Sequence, residues 1–357
     1  MTEPKHFLIM AGGTGGHVFP GLAVANALRD QGHKVSWLGT RAGIESDVVP
    51  AAGIEIHYID IEGVRGKGKA GLLKAPFKIW YAIRQSLAVM NTVKPDCVIG
   101  MGGFASGPGG IAAKLKGIPL VIHEQNAIAG TTNRILAHFA NEVLEAFPGT
   151  FKKSVGAIHV GNPVRRSMHQ ASRGLDDEQD LRLLVLGGSL GAKAINEIIP
   201  KVLDELNFTI EIWHQTGKKH FADVEALYGE ETLSMKAIDL MPFIDDMAEA
   251  YDWADIVICR AGAMTVSELA VAGLPAIFIP FPYAIDDHQT ANAKWMVDAG
   301  AAVLLPEAEM TVGRIKFYLD KFNKKRHELK AMRAKAAALG IHEATDNVTR
   351  ICVEAAL

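Results

Sequence analysis

Short apolar runs alternate along the chain with longer segments in which apolar residues recur every three or four positions. The short runs have the length of buried strands, and the longer segments have the period of amphipathic helices. Strands that alternate with helices predict parallel sheets covered on both faces. The strands expected from this pattern are His6–Met10, Lys34–Leu38, Ile54–Ile61, Asp96–Gly100, Leu120–His123, Glu142–Ala146 and Ala157–Val160, then Leu181–Leu186, Thr209–His214, Ile256–Cys259, Ala276–Ile279 and Ala302–Leu305.

The helices expected between these strands complete two successive α/β domains. Because 357 residues exceed what one hydrophobic core usually supports, the domains are expected at 1–162 and 163–340, with a helix over 341–357 that packs back on the first. Both have a Rossmann-like order, which places a shared ligand in a cleft faced by two parallel sheets. The expected helices are Val18–Gln31, Glu45–Ala51, Ala75–Val93, Gly109–Lys116, Ile128–Ala140, Ala192–Leu206, Ala222–Gly229, Asp246–Trp253, Thr265–Ala272 and Asp287–Ala299, with a helical tail from Val312 that breaks at Gly340.

Composition and charge narrow the class of protein. The hydrophobic share of 49% and the charged share of 22% fit a globular enzyme, and no run of eighteen apolar residues indicates a transmembrane span. Three cysteines far apart in apolar contexts are expected to be buried and reduced. Residues 1–162 carry 16 Lys and Arg against 11 Asp and Glu, a net charge of +5, and the remainder carries 21 against 29, a net charge of −8. The positive first half favours an anionic partner there.

Three of the expected strands run directly into glycine-rich turns. These turns are Gly12–His17, Gly102–Gly110 and Gly187–Ala192. Where such a turn leads into a helix, backbone N–H groups and the positive end of the helix dipole converge, and no side chain blocks an anion. One such turn is weak evidence, but three in one chain indicate a protein that handles several phosphates.

Glycine turns of this kind also occur in nicotinamide-dependent dehydrogenases. The residues around the first turn do not support that function. Val18 stands where the dinucleotide fingerprint has its third glycine, and no carboxylate follows the second strand to bind a ribose hydroxyl. A better ribose ligand lies in Arg260–Glu268, after an apolar strand of the second half. Glu268 could accept hydrogen bonds from two neighbouring hydroxyls or form a capping box with Thr265, and this segment alone leaves both interpretations open.

Taken together, the motifs of both halves resemble those of the GT-B nucleotide-sugar glycosyltransferases. Within that family they resemble the enzymes that add N-acetylglucosamine to the lipid-linked muramyl-pentapeptide of bacterial cell-wall synthesis. The resemblance covers nearly the whole chain, and its motifs fall in the family's order and spacing. These motifs are Gly12–His17, Gly102–Gly110, His123–Asn126, Gly161–Arg165, Gly187–Ala192, Phe243–Met247, Arg260–Glu268 and Asp286–Asn292.

The resemblance implies a binding site for UDP-N-acetylglucosamine and a cradle for the diphosphate of the acceptor. Glu268 would hold the uridine ribose, the backbone of Ile244 the uracil, and Ser189 the donor phosphates. Gln289 and Asn292 would recognise the sugar hydroxyls through hydrogen bonds. The implied donor-binding residues are Thr14, Gly15, Gly16, Asn126, Arg165, Ser189, Ile244, Ala263, Met264, Thr265, Val266, Ser267, Glu268, Gln289 and Asn292, and the acceptor diphosphate would contact Gly12, Gly13, Gly102, Gly103, Ser106 and Gly107.

Two positions depart from the pattern of related enzymes. Leu190 stands where some relatives have glutamine, and Ala261 where they have serine. Because a leucine side chain makes no hydrogen bond, discrimination between sugars is expected to depend more on Gln289 and Asn292.

His17 is the expected general base. A neutral imidazole could take the proton of the acceptor hydroxyl as that oxygen attacks the anomeric carbon, and the positive end of a helix favours the neutral form. Glu124, at the end of its strand, is the alternative base or the residue that orients His17. His123 and His288 are expected to be structural.

No metal cofactor is expected, because no Asp-X-Asp motif stands in a suitable loop. The adjacent pairs Asp245–Asp246 and Asp286–Asp287 are expected to cap helices. Helix N-termini and Arg165, which would bind a donor phosphate or the uracil edge, would stabilise the leaving UDP instead.

The segment Lys67–Arg84 combines large apolar residues with five Lys and Arg and has no acidic residue. Such a helix suits the interface of an anionic bilayer, although an ordinary amphipathic core helix is the alternative. Together with the lipid-linked acceptor that the resemblance implies, this helix predicts a peripheral position on the cytoplasmic face of the bacterial inner membrane. The expected membrane contacts are Leu72, Leu73, Lys74, Phe77, Lys78, Trp80 and Arg84.

The expected function is an inverting, metal-independent glycosyltransferase that joins UDP-N-acetylglucosamine to undecaprenyl-linked lipid I and gives lipid II. No nucleic-acid partner is expected. A UDP-sugar diacylglycerol glycosyltransferase would share the two-domain form but would not need two diphosphate cradles. A UDP-N-acetylglucosamine 2-epimerase would convert the donor alone, and a nucleotide-binding regulator would bind it without turnover.

Overall fold

The computed structural model of the chain describes residues 3–63, 68–165, 167–168, 175, 178–188, 191–229 and 237–357. It divides into two compact units. The first unit is Met1–Arg165 with Glu343–Leu357, and the second is Arg166–His342. Each unit contains a parallel sheet covered by helices, which confirms the predicted α/β fold class.

The first unit is built on a seven-stranded sheet in the order β3-β2-β1-β4-β5-β6-β7, with all described neighbours parallel. Its strands are β1 (His6–Met10), β2 (Lys34–Gly39), β3 (Glu55–Tyr58), β4 (Cys97–Gly100), β5 (Leu120–Glu124), β6 (Glu142–Glu145) and β7 (Ile158–His159). The helices between them are α1 (Gly15–Asp30), α2 (Glu45–Ala51), α3 (Gly68–Val93), α4 (Ser106–Lys116) and α5 (Thr131–Leu136).

The second unit is built on a six-stranded parallel sheet in the order β10-β9-β8-β11-β12-β13. Its strands are β8 (Leu181–Leu186), β9 (Ile210–Gln215), β10 (Ile238–Met241), β11 (Ile256–Cys259), β12 (Ala276–Phe278) and β13 (Ala302–Leu304). Its helices are α6 (Lys193–Glu205), α7 (Phe221–Tyr228), α8 (Met247–Trp253), α9 (Ala263–Ala272), α10 (His288–Asp298), α11 (Val312–Lys324) and α12 (Arg326–Leu339). The last helix, α13 (Ala344–Ala355), belongs to the first unit and packs on α1.

The central strands are apolar at nearly every position because helices cover both faces of each sheet, and their polar residues, His6 and Arg182, lie at or next to the start of a strand. In β1, Phe7 and Ile9 belong to one hydrophobic cluster, whereas Leu8 and Met10 belong to the cluster on the other side. All four side chains are fully buried. Helix α13 contributes to the first of these clusters, which anchors the end of the chain in the first unit.

Several elements differ from those expected. Helix α3 begins at Gly68 instead of Ala75 and has Pro76 in its interior. The helix expected over Ile128–Ala140 is reduced to α5, and the edge strand β10 was not expected. The tail has an additional break at Lys325, between α11 and α12.

The glycine turns lie where the strand order of each sheet reverses. In each sheet the chain runs outwards in opposite directions from one central pair of strands, β1 with β4 and β8 with β11. Ligands of such sheets bind at the carboxyl ends of the strands where the order reverses. The turns after these four strands are three glycine turns and the segment that leads to Glu268.

Candidate functional site

Two glycine turns touch each other at the carboxyl edge of the first sheet. Gly102 and Gly103 follow β4 and have φ values of +96° and +82°, in the left-handed region. A Cβ built on Gly103 would lie 2.3 Å from the carbonyl oxygen of Gly12. Contact between the two backbones therefore requires glycine at position 103, in addition to any contact with a ligand.

A buried carboxylate holds the first turn. Glu45, at the start of α2, is fully buried. It accepts hydrogen bonds from the Gly13 N–H at 2.9 Å, the Thr40 N–H at 3.0 Å and the Thr40 hydroxyl at 2.8 Å. Because the Gly13 N–H is engaged in this way, binding of a diphosphate by this turn would depend on the amides that begin α1. Glu45 was not singled out from the sequence, and its only local signal is an acidic residue at a helix start beside Gly43.

Ser106 also has a structural part in this region. Its side chain is fully buried, and its hydroxyl lies 2.9 Å from the carbonyl oxygen of Met10 and 2.7 Å from that of Gly102. The contact with the acceptor diphosphate predicted for Ser106 would therefore use the amides at the start of α4.

His17 lies in the first turn of α1 and contacts Gln125. Its Nδ1 is 2.7 Å from Gln125 Oε1, and a Cβ on Gly102 would lie 2.8 Å from that same Nδ1. Gln125 is fully buried just after β5, and its amide nitrogen is 3.0 Å from His123 Nδ1. The Nε2 of His123 lies 2.9 Å from the Gly161 carbonyl oxygen, and burial lowers the pKa of His123 to about 4. Residues after β1, β5 and β7 are thus joined by one chain of hydrogen bonds.

Glu124, the alternative base, contacts the loop that follows β5. Its carboxylate accepts hydrogen bonds from the Asn126 N–H at 3.1 Å and from the Asn126 side chain at 3.2 Å. It also accepts from the Gly130 N–H at 3.0 Å and the Asn133 side chain at 2.9 Å. The described contacts of this buried carboxylate organise the loop after β5, whereas Gln125 contacts His17. That Glu124 acts as the alternative base or orients His17 stays a prediction.

The second unit also has a turn in which close contact between two backbone segments requires glycine. Gly188 and Gly191 have φ values of +73° and +80°, and a Cβ on Gly191 would lie 2.3 Å from the Thr216 carbonyl oxygen. Gln215, which was not predicted, donates to the Gly188 carbonyl oxygen at 3.1 Å and accepts from the Ile244 N–H at 3.1 Å. A contact between Ile244 and uracil would therefore use the carbonyl oxygen of Ile244. The predicted phosphate ligand Ser189 and its neighbour Leu190 lie outside the described residues.

Glu268 lies inside α9 and does not form a capping box. The helix begins at Ala263 with Gly262 as its N-cap, so Thr265 is already within the helix. Glu268 Oε2 accepts a hydrogen bond from the Tyr251 hydroxyl at 3.0 Å. Burial, followed by the charge of Glu268, raises the pKa of that hydroxyl, which therefore stays protonated and donates. Among the other predicted donor residues of α9, Ala263, Val266 and Ser267 are buried, and Met264 and Thr265 are partly exposed.

The side-chain amides of Gln289 and Asn292 hold the turn after β11. Gln289 Oε1 accepts from the Ala261 N–H at 3.2 Å and the Phe281 N–H at 2.9 Å. Asn292 is fully buried and donates to the Ala261 carbonyl oxygen at 3.2 Å. Both bonds use the backbone of residue 261, so they do not depend on whether that residue is alanine or serine. Contact of Gln289 and Asn292 with the sugar stays a prediction.

The two pairs of aspartates differ. Asp246 accepts from the N–H groups of Ala248 and Glu249 and caps α8, as expected. Asp287 precedes α10 with φ +50° and makes no capping bond, because its carboxylate accepts from the Thr290 hydroxyl at 2.7 Å. The capping role expected of Asp287 is therefore wrong, and the left-handed backbone at Asp286 and Asp287 is strained.

Arg165 ends the first segment of the first unit and is exposed, with its guanidinium 5.3 Å from the centre of the Phe19 ring. This contact is a cation–π interaction with α1. Within the described ranges, no three His, Cys, Asp or Glu side chains form a group suited to a metal ion. Independence of metal stays a prediction.

Family models described as the glycosyltransferase family 28 N-terminal domain and the glycosyltransferase family 28 C-terminal domain match residues 7–145 and 182–348. The chain belongs to glycosyltransferase family 28. The two matches fall on the two sheets, and the membership confirms that the chain is a glycosyltransferase, as its motifs predict.

Relatives of this family 28 glycosyltransferase match it over almost its whole length. It is 51% identical over 353 residues to the UDP-N-acetylglucosamine–N-acetylmuramyl-(pentapeptide) pyrophosphoryl-undecaprenol N-acetylglucosamine transferase of Methylococcus capsulatus, with 99% of each chain covered. It is 52% identical over 355 residues to the protein of that name from Psychromonas ingrahamii, also with 99% of each chain covered. These matches confirm the predicted branch of the family.

Solved structures agree with this assignment. The crystal structure of Acinetobacter baumannii MurG has a TM-score of 0.87 and 43% identity, over 98% of this chain and 100% of that chain. The UDP-GlcNAc 2-epimerase from Neisseria meningitidis has a TM-score of 0.66 but only 15% identity, over 98% and 100% of the two chains. The epimerase therefore shares the fold alone, and the GT-B fold is confirmed.

The substitution Gly103→Ala tests the contact between the two glycine turns. The Cβ would overlap the backbone of Gly12, so the loss in free energy of unfolding should exceed that of a simple left-handed alanine by about 1 to 3 kcal/mol. Gly32→Ala is the matched control, because Gly32 has φ +87° and open space where a Cβ would lie. Urea unfolding of both variants measures the difference. Equal losses would show that the turns do not constrain each other.

Proposed function

We propose that the chain transfers N-acetylglucosamine from UDP-N-acetylglucosamine to the N-acetylmuramyl-pentapeptide carried on undecaprenyl diphosphate, converting lipid I into lipid II. The observation that carries the proposal is the sequence identity of 51% and 52% to relatives named for that reaction. This identity extends over both units. The acceptor and the base are assigned to the first unit, and the nucleotide to the second.

The reaction is a single displacement in this proposal. His17 takes the proton of the acceptor hydroxyl as that oxygen forms a bond to the anomeric carbon. The bond to the UDP oxygen breaks, its electron pair stays on the diphosphate, and the configuration at carbon is inverted. The amides that begin α1 and α4 bind the acceptor diphosphate, and the positive ends of helices with Arg165 stabilise the leaving UDP.

Incubation of the purified chain with labelled UDP-N-acetylglucosamine and a short-chain lipid I analogue tests this reaction. Labelled disaccharide lipid and UDP should appear in equal amounts, and only when the acceptor is present. Formation of UDP-N-acetylmannosamine from the donor alone would identify an epimerase instead. Transfer to diacylglycerol, with none to the lipid diphosphate, would identify the other alternative.

Glu268 is the proposed ligand of the donor ribose. Its carboxylate lies inside α9, where it cannot serve as a cap, and the protonated Tyr251 hydroxyl orients it through Oε2. A carboxylate that accepts bonds from vicinal hydroxyls contributes a charge-assisted interaction, which is stronger than one between neutral groups.

Replacement of Glu268 by alanine should raise the donor KM about 10- to 100-fold, since bonds to a charged acceptor contribute about 1.5 to 3 kcal/mol. Tyr251→Phe is the control, because it keeps the carboxylate and removes only the bond that orients it, so a smaller rise is expected. A 2′-deoxyuridine donor should lose less with the alanine variant than with the wild type. An unchanged donor KM would leave Glu268 with a structural role only.

Membrane attachment through α3 is the second part of the proposal. Phe77, Trp80, Tyr81 and Arg84 follow the spacing of one helical face, and the three aromatic side chains are 78%, 56% and 52% exposed. The guanidinium of Arg84 lies 5.1 Å from the centre of the Trp80 ring. Exposed aromatic and basic groups on one face suit the headgroup region of an anionic bilayer.

The opposite face of α3 belongs to the core, since Ala82, Ser86 and Met90 are buried. Lys78 pairs with Glu62 at 2.7 Å, so its charge is partly balanced and its contribution to membrane binding is smaller than expected from the sequence. The predicted contacts Leu72, Leu73 and Lys74 have side chains outside the described set. None of the described helices combines the length and apolar character needed to cross a bilayer.

A cavity of about 580 Å³ lies beside this face, between α3 and the segments that follow β2 and β3. Phe77 and Tyr81 line it together with Thr40 and Arg41 at the end of β2. Thr40 shares the carboxylate of Glu45 with the Gly13 N–H. One wall of the cavity is therefore linked through Glu45 to the turn proposed to bind the acceptor diphosphate.

The double substitution Phe77→Ser/Trp80→Ser should weaken binding to phosphatidylglycerol vesicles about 100-fold, because two large side chains no longer enter the interface. Turnover of a water-soluble acceptor should scarcely change. Phe317→Ser is the control, since Phe317 is 61% exposed but lies in the second unit. Vesicle sedimentation gives the measurement, and equal sedimentation of the double variant and the wild type would contradict attachment through α3.

A further inference from the structure

His17, Gln125 and His123 form a chain in which each hydrogen bond constrains the next. His17 is the base of the proposed reaction, so the state of its two ring nitrogens decides whether it can act. A neutral imidazole carries its proton on one nitrogen, and the partner of the other nitrogen determines which tautomer forms. The catalytic meaning of the His17 tautomer rests on the proposed function, whereas the hydrogen bonds that determine the tautomer do not.

Two carbonyl oxygens fix the direction of the chain. The Gly161 carbonyl oxygen lies 2.9 Å from His123 Nε2 and can only accept, so the neutral His123 carries its proton on Nε2 and a lone pair on Nδ1. The carbonyl oxygen of His123 lies 3.1 Å from the side-chain amide nitrogen of Gln125. This oxygen also can only accept, which independently places the Gln125 NH₂ group on that side.

The orientation of the Gln125 amide then determines the tautomer of His17. Its two N–H groups donate to His123 Nδ1 at 3.0 Å and to the His123 carbonyl oxygen at 3.1 Å. Its Oε1 therefore faces His17 Nδ1 at 2.7 Å, where an amide oxygen requires a donor. His17 thus carries its proton on Nδ1.

We infer that Gln125 is a positioning residue that, held by His123, keeps the proton of His17 on Nδ1 and leaves the lone pair on Nε2 to take the acceptor proton. Gln125 and His123 are fully buried, so water does not compete for these bonds. The N–H of the Asn162 side chain donates to the Gln125 carbonyl oxygen at 3.1 Å and holds the backbone of the same residue. Gly102 also packs against the His17 ring, since a Cβ built on Gly102 would lie 2.9 Å from Cε1 of His17.

The first test reads the tautomers in the wild-type chain and needs no substrate. In the wild-type chain labelled with ¹⁵N-histidine, long-range ¹H–¹⁵N spectra at neutral pH should show opposite tautomers for the two residues. His17 should be protonated on Nδ1 and His123 on Nε2, with the signals assigned by loss in His17→Gln and His123→Gln. A His17 that carries its proton on Nε2 would overturn the inference, whatever the activity of the enzyme.

The second test separates positioning from simple structural support. Gln125→Met keeps the side-chain volume but removes both ends of the amide, so kcat should fall about 10- to 100-fold with the donor KM nearly unchanged. The His17 signals of this variant should show a mixture of tautomers. Gln125→Glu retains an oxygen that accepts from Nδ1, and it should restore the tautomer and part of kcat.

Gln31→Met is the matched control, because Gln31 is exposed at the end of α1 and should leave both spectra and kcat unchanged. A Gln125→Met variant with the His17 tautomer and kcat of the wild type would also overturn the inference. The predicted tautomers without any transfer to the lipid diphosphate would instead reject the proposed function and leave the hydrogen-bond chain intact.

Discussion

The approach of two backbones at the carboxyl edge of the first sheet is the constraint on which the proposed catalytic site depends. Gly103 lies against Gly12 at a distance that no Cβ permits, and the Met101 N–H donates to the Met10 carbonyl oxygen at 2.8 Å. The pairing of β1 with β4 thus continues into the turns that follow them. His17 lies in the first turn of the helix that follows Gly12 and Gly13, so these contacts of the main chain help to set its place.

Buried carboxylates hold the other loops at this edge. Glu45 holds the turns after β1 and β2, Glu124 the loop after β5, and Glu145 the loop after β6 through the N–H groups of Gly149 and Phe151 at 2.9 and 3.0 Å. A buried charge is costly unless it is hydrogen-bonded, and here backbone amides satisfy it. Those amides are then unavailable to a phosphate. Anion binding at this edge therefore depends on the first turns of α1 and α4, where a helix leaves its own amides unpaired.

Features that are determined by residues close together in the chain could be predicted from the sequence. Apolar runs marked the central strands correctly, since burial on both faces leaves few polar positions in them. The glycine turns were also placed correctly, and the sheet order explains their position. The ends of helices were less predictable, because distant groups decide them. The helix expected from Ile128 begins only at Thr131, and the Gly130 N–H before it is bonded to Glu124. In α9, Gly262 takes the N-cap position that the capping-box interpretation required of Thr265.

Two of the residues whose roles sequence reasoning missed are buried glutamines, and the reason is physical. Gln125 directly follows β5 and Gln215 ends β9, and each uses both ends of its amide to join segments that are far apart in the chain. The partner of Gln125 is 108 residues away, so no local period reveals it. A glutamine usually lies on the surface, and burial is favourable only when both its donors and its acceptor are satisfied. A polar residue directly after an apolar strand, as in His123-Glu124-Gln125 and His214-Gln215, is the one signal that the sequence offered. Such a residue lies where the strands of a parallel sheet end and ligands bind, so its amide can order a site without contacting the ligand.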